Sequence, residues 1–409
     1  GTEPASEPAD LAIDDLQALA NQAPVIKLVN VLLLDALRMG ASDVHVESLP
    51  SGLRVRYRLD GVLQEVSQLA DQYRAAVVSR IKIMAGLNIA ERRLAQDGRA
   101  RLKLADREVD LRVSTLPALH GESVVLRILD HAGHGRGLGE LGMPEEVQRR
   151  FGALIRRSNG IVLVTGPTGS GKTTTLYAAL SEVNSAGVKI ITVEEPVEYQ
   201  IQGVIQIPVN PKAGFNFDGA LRSILRHDPD IIMVGEMRDR ATAEIAIQAA
   251  LTGHLVFSTL HTNDAASAVT RLVDMGIEPF LVAATVQGIV AQRLVRLLCE
   301  ECAECFEPEA SEIANAPVAV DLPAVYRRAT GCDACSHSGY RGRLGIYEML
   351  QITDNHRSLI TRGAPVDELR ELGRRAGTES LREAGWKTVQ SGRTTIAELM
   401  RVVNQDEAA

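Results

Sequence analysis

The stretch VTGPTGSGKTTTLY, residues 164–177, decides the fold. Within it Gly166-Pro167-Thr168-Gly169-Ser170-Gly171-Lys172-Thr173 fits G-x-x-x-x-G-K-[ST], and Thr174 follows. Glycines let successive backbone N–H groups curl round a phosphate, and the start of a helix adds its positive end. In this pattern Lys172 reaches the outer phosphates and the Thr173 hydroxyl sits on Mg²⁺. The context is the required one: an apolar strand, IVLVT, enters the loop, and a helical run leaves it. The reading is a nucleotide held by its phosphates.

Working outward, GIVLVTG, KIITVEE, DIIMVGE and HLVFSTL are short apolar strands alternating with helical segments. That alternation implies a parallel sheet covered on both faces. Glu236 closes DIIMVGE, and Glu194 and Glu195 close TVEEP. A carboxylate at the carboxyl end of such a strand can hold Mg²⁺ water or polarise the attacking water. Singly, each reads equally well as an exposed turn carboxylate; together they converge on the ligand-binding edge of one sheet. His254 and His261 flank the strand in TGHLVFSTLHTND. His-x6-His is no zinc spacing, so either senses the outer phosphate or is a hydrogen-bonded structural residue.

The 409 residues carry a net charge of −8, with 45% hydrophobic and only 3% aromatic residues. The cores must therefore be aliphatic. The negative charge and scarcity of rings speak against a nucleic-acid motor, which needs cationic grooves and stacking platforms. The most apolar run, PFLVAATVQGIVAQRLV, is interrupted by Gln287 and Gln292, short of a membrane span. A soluble intracellular protein is the expectation. The chain opens on Gly1, which suggests a piece of a longer protein.

Residues 1–24 contain acidic side chains and no Lys or Arg and read as a flexible tail. Residues 25–130 alternate as strands around a helix, with Leu53, Val55, Tyr57 and Leu59 facing one way and Arg54, Arg56 and Arg58 the other. This is a small α+β domain; its arginine face is either an interface with a neighbouring subunit or solvated. Residues 131–142 are glycine-rich and read as a hinge linker. The ATP-binding core is expected over 143–298, a cysteine segment over 299–345 and a helical region over 346–409. Cys299-x2-Cys302 and Cys332-x2-Cys335 have zinc spacing, but Cys305 makes Cys302-x2-Cys305 an equally spaced alternative.

The motifs SDVHVE, RYRLDG, QDGR, VDLRVSTLP, GPTGSGKTTTLY, VEEPVEY, LRHDPDIIMVGEMRD, TGHLVFSTLHTNDA and AQRLVRLLC…GYRGRLGIYE occur in the order found in one family. The chain resembles the type II secretion ATPases, the E-type component, over about residues 20–405. The resemblance implies an α/β fold: a RecA-like P-loop domain, a smaller α+β (PAS-like) N-terminal domain, a tetracysteine zinc insertion and helices at the end. It implies hydrolysis of ATP with Mg²⁺. Glu194 takes the place of the catalytic glutamate, Glu195 replaces the usual aspartate, and Glu236 is the acidic member of Walker B. His254 and His261 belong to the family's His box. Arg112, Arg127 and Arg271 stand where the family has arginines that close over the phosphates. Cys299 and Cys302 are selected over Cys305 as partners of Cys332 and Cys335 for structural Zn²⁺. Also implied are a homo-hexamer, recruitment to an inner-membrane platform through protein partners, and no nucleic acid. The sister reading is a type IV pilus assembly ATPase.

Overall fold

The computed structural model describes residues 13–104, 107–130, 137–210, 213–313 and 325–403. The chain divides into two compact units, residues 1–133 and 134–409.

The first unit is a six-stranded antiparallel sheet: β1 (Asp43–Leu49), β2 (Gly52–Leu59), β3 (Val62–Ala70), β4 (Gln96–Leu104), β5 (Arg107–Ala118) and β6 (Gly121–Asp130). Their order across the sheet is β3-β2-β1-β6-β5-β4. Alternation sends Val44, Val46, Val55, Tyr57, Leu111 and Leu126 to one face, where they meet Val29 and Leu33 of the helix Ala23–Arg38 and Val77 and Ile81 of the helix Arg74–Met84. Each such fully buried aliphatic side chain is worth about 1.5–3 kcal/mol. The other face is polar. Arg54 and Arg56 pair with Glu47, and Arg58 and Arg127 pair with Asp43. The arginine face of β2 is thus neutralised by β1 within its own sheet.

The tail assigned to 1–24 needs correction at its end. Ile13–Ala20 is a helix that packs on Arg74–Met84, with Leu16 and Ala20 buried. Apolar residues at helical spacing outweigh the acidic character there. Residues 1–12 lie outside the described residues.

The second unit is built on a seven-stranded sheet of β7 (Gly160–Thr165), β8 (Ile190–Glu194), β9 (Ile205–Pro208), β10 (Ile231–Val234), β11 (Leu255–Leu260), β12 (Val286–Leu298) and β15 (Tyr340–Gln351). A short ribbon, β13 (Glu304–Cys305) with β14 (Arg327–Arg328), stands apart. The order is β15-β12-β7-β11-β10-β8-β9. All neighbours are parallel except β15, which runs antiparallel to β12. β7, β8, β10 and β11 are buried along their whole length, which is why they read as continuous apolar runs. Alternate residues of β7 feed two cores: Ile161 and Leu163 join one, Val162 and Val164 the other.

Two boundaries move. β15 crosses the division expected at 345/346 and is part of the central sheet, because residues 346–350 are buried against β12. The following helices, including Leu381–Gln390 with Trp386, pack into the same core rather than forming a separate region. Of the expected hinge 131–142, residues 131–136 lie outside the described residues. The remainder is packed: Leu138 is buried, and a Cβ on Gly142 would come within 2.4 Å of Leu344. Among the described residues, no helix is long and apolar enough to cross a membrane.

Candidate active site

β7 delivers the chain into the phosphate loop, and the helix Lys172–Val183 carries it away. Gly166, Gly169 and Gly171 have φ of 150°, 80° and 87°, values that side-chain-bearing residues rarely adopt. Gly166 is also needed for space, since a Cβ there would lie 2.5 Å from the Gln292 carbonyl oxygen. Pro167, Thr168, Gly169, Thr173 and Thr174 are exposed, whereas Ser170 is buried. Lys172 Nζ donates to the carbonyls of Gly166 at 2.7 Å and Pro167 at 3.0 Å, which holds the ammonium over the loop.

Glu236 follows β10, and His261 follows β11, at the same sheet end as the loop. Glu236 pairs with Arg238 at 2.7 Å and stands 3.4 Å from His261 Nε2. Burial pushes Lys172 down to about 8; Glu236 opposes this and Arg293 adds to it. His261 is also lowered, first by burial and then by the Lys172 charge, while Glu236 pulls the other way. Lys172, Glu236 and His261 therefore share one electrostatic environment. His261 is held neutral, able to hydrogen-bond a phosphate oxygen without adding full charge.

Glu194 ends β8 buried and occupied. It accepts from Thr192 Oγ1 at 2.6 Å, from Gln206 Nε2 at 3.1 Å and from the Tyr177 hydroxyl. Burial and the Glu194 charge push Tyr177 far up, so it remains a donor. Three donors fill three of about four acceptor sites on this carboxylate and brace β8 against the phosphate-loop helix. Its neighbour Glu195 is exposed and lines a cleft of about 420 Å³ with Glu236, Arg238, Asp239 and Asn216.

His254 is not brought to this place. It precedes β11, at the opposite end of the sheet, where its carbonyl accepts from Gly160 N and its Nδ1 lies 2.9 Å from Ala249 O. It finishes a helix end and connects to the first residue of β7. Arg271 is exposed in the last turn of the helix Ala265–Asp274. Arg112 and Arg127 face each other across β5 and β6 in the first unit.

Four groups near the loop escaped the sequence reading: Tyr177, Gln206, Gln292 and Arg293. Arg293 and Gln292 were hidden because nothing in the order of residues says that β12 lies beside β7, with Ala291 opposite Thr165.

The cysteines resolve their own ambiguity. The sulfurs of Cys299, Cys302, Cys332 and Cys335 lie within 4.8 Å of one another. Cys299–Cys332, Cys302–Cys335 and Cys332–Cys335 are each 3.8 Å apart. Four Zn–S bonds of about 2.3 Å in a tetrahedron set the sulfurs about 3.8 Å apart. Cys305 is exposed, on β13, and is not in the cluster.

The profile of the family described as "Type II/IV secretion system protein" matches residues 18–401. The chain belongs to that family. It is 49% identical over 392 residues to "Type II secretion system ATPase E" of Vibrio cholerae serotype O1, covering 96% of this chain and 78% of that one. It is 48% identical over 393 residues to "Type IV pilus assembly ATPase PilB" of Myxococcus xanthus, covering 95% of this chain and 69% of that one. Among solved structures, the pilus retraction motor PilT with bound ADP aligns at a TM-score of 0.61 and 25% identity, over 91% of this chain and 96% of that one. With the loop, Lys172 and Glu236 in place, the chain is a P-loop ATPase with the fold of these motors.

Proposed function

We propose that this chain is the ATP-hydrolysing motor subunit of a type II secretion system, using ATP with Mg²⁺ and water as the nucleophile. The observation that carries the reading is the meeting of Lys172, Glu236 and His261 at the phosphate loop. Lys172 and the loop amides hold the phosphates, Thr173 and Glu236 hold the metal and its water, and His261 contacts the outer phosphate. The carboxylate that orients water lies at the end of β8 or in the loop just past it, Glu194 or its exposed neighbour Glu195. Glu194 fixes that loop through Tyr177 and Gln206.

The working form is a ring of six copies. Arg112 and Arg127, with Arg271, supply guanidinium charge to the transferring phosphoryl group, a contribution worth roughly 10³–10⁵ in rate. The four-cysteine cluster holds Zn²⁺ in a structural role: all four ligand positions are protein sulfurs, leaving none for chemistry. The ring works in the cytoplasm and meets the inner membrane through protein partners of the secretion machinery. The pilus assembly relative is nearly as similar in sequence, and the fuller cover of the type II relative favours secretion.

Calorimetry with Mg²⁺-ADP tests the reading. The protein should bind it, and Lys172→Ala should abolish binding with the fold retained. Wild-type protein that binds no adenine nucleotide overturns the proposal. Restoration of secretion, not of piliation, in a strain lacking the motor gene fixes the branch.

A further inference from the structure

Two adjacent residues of β12 touch the catalytic loops from opposite faces of the sheet. Gln292 is buried; its Nε2 donates to Ser170 O at 2.6 Å and its Oε1 accepts from Thr175 Oγ1 at 2.7 Å. It thereby joins the phosphate loop to the first turn of the helix that follows. Arg293, 2% exposed, points the other way. Its Nη2 donates to Asn263 O at 3.1 Å, on the loop that carries His261, and its Nη1 lies 3.2 Å from where a Cβ of Gly166 would stand. Successive strand residues face opposite sides, so one strand reaches both loops. A second fastening lies beside the first: Thr262 N donates to Thr165 Oγ1 at 2.9 Å, at the end of β7.

We infer that Gln292 and Arg293 are positioning residues for phosphoryl transfer: Gln292 sets the shape of the phosphate loop, and Arg293 sets the distance between that loop and His261. The inference rests on the ATPase reading of the site. Its logic is geometric. Lys172 and His261 must address the same outer phosphate from two separate loops, and a misplacement of about 1 Å can cost a hundredfold in rate. A buried guanidinium that donates to one loop while packing under the other fixes that separation. Its charge also bears on Lys172, adding to the downward push of burial.

The two residues have separate signatures. Gln292→Ala should weaken ADP and ATP alike, about tenfold, because the loop serves both. Arg293→Gln should leave ADP affinity within about threefold, since ADP lacks the phosphate that His261 meets, and should lower kcat by about 10–100-fold. Arg293→Lys, which keeps one donor for Asn263 O, should recover part of that loss. In combination with His261→Ala, Arg293→Gln should add little further loss, because both act through one contact. The measurements are calorimetry for ADP and a non-hydrolysable ATP analogue, steady-state turnover, and thermal melts of each variant of the full chain. If Arg293→Gln and Arg293→Lys weaken ADP as much as the analogue, or if the losses multiply with His261→Ala, the assignment is overturned and Arg293 only supports the fold. If Arg293→Gln does not fold, the Lys variant and its combination with His261→Ala decide alone. Wild-type protein without ADP affinity would instead sink the nucleotide reading itself.

Discussion

Raising the pH from 7 to 9 should weaken ATP binding, and the structure fixes by how much. Burial holds Lys172 at about 8 in the free protein. The phosphates must meet an ammonium, so a neutral lysine has to take up a proton before binding. With a value of about 8, about 90% of the lysines are charged at pH 7 and about 10% at pH 9, so the apparent Kd rises about tenfold, or about 1.4 kcal/mol. His261 does not blur the window, because it is lowered and already neutral at pH 7. The assay is calorimetry with a non-hydrolysable ATP analogue in two buffers of different ionisation enthalpy. At pH 9 it should register nearly one proton taken up per site, and at pH 7 almost none. The sign for the free fold runs the other way. The unfolded chain keeps its Lys172 proton up to the ordinary value of 10.5, whereas the folded chain releases it near 8. The unfolded state therefore binds more protons in that window, and Lys172 makes the ligand-free protein more stable as pH rises through it. An affinity that changes less than about twofold across pH 7–9, with no proton uptake, would refute the assignment of Lys172 as a desolvated lysine charged on binding.

Four further outcomes follow from the geometry. Cys332→Ser should abolish stoichiometric zinc and lower the melting temperature, whereas Cys305→Ser should change neither; metal analysis and a melt decide. Glu194→Gln should cost about 2 kcal/mol in denaturant unfolding, since an amide cannot accept from all three donors, and, like Glu195→Gln, should lower kcat at unchanged nucleotide affinity. Wild-type turnover in both would assign the water-orienting role to another group. Gly166→Ala should lose nucleotide binding in calorimetry while far-ultraviolet circular dichroism stays native, because its Cβ meets a backbone oxygen at the mouth of the loop. Arg112→Ala and Arg127→Ala should hydrolyse ATP at least tenfold more slowly, and Arg127→Ala should also lower the melting temperature, because it leaves buried Asp43 without its partner at 2.9 Å; normal rates in both exclude them from the reaction.

What could be read from the order of residues was whatever is local. The phosphate loop, the apolar strands around it and the alternation of β2 are all dictated by neighbours within a dozen positions. Which carboxylate is buried was not local. Glu194 and Glu195 are adjacent in sequence, yet Tyr177 and Gln206, from elsewhere in the chain, bury one and leave the other in the cleft. His254 and His261 look equivalent in sequence and stand at opposite ends of β11, because a strand of six residues is about 20 Å long. The cysteine choice also needed three dimensions. Cys305 has the right spacing from Cys302, but the ribbon of β13 and β14 carries it out of the cluster. β12 and β15 were missed as partners because one pairs with a strand far earlier in the chain and the other runs against the direction of the rest.

Gln292, at the middle of β12, and Cys299, just past the end of that strand, lie seven positions apart. A strand turns its side chains over at every step. Adding or removing one amino acid in this short interval would present either the wrong neighbours to the phosphate loop or the wrong sulfur direction to the cysteine cluster.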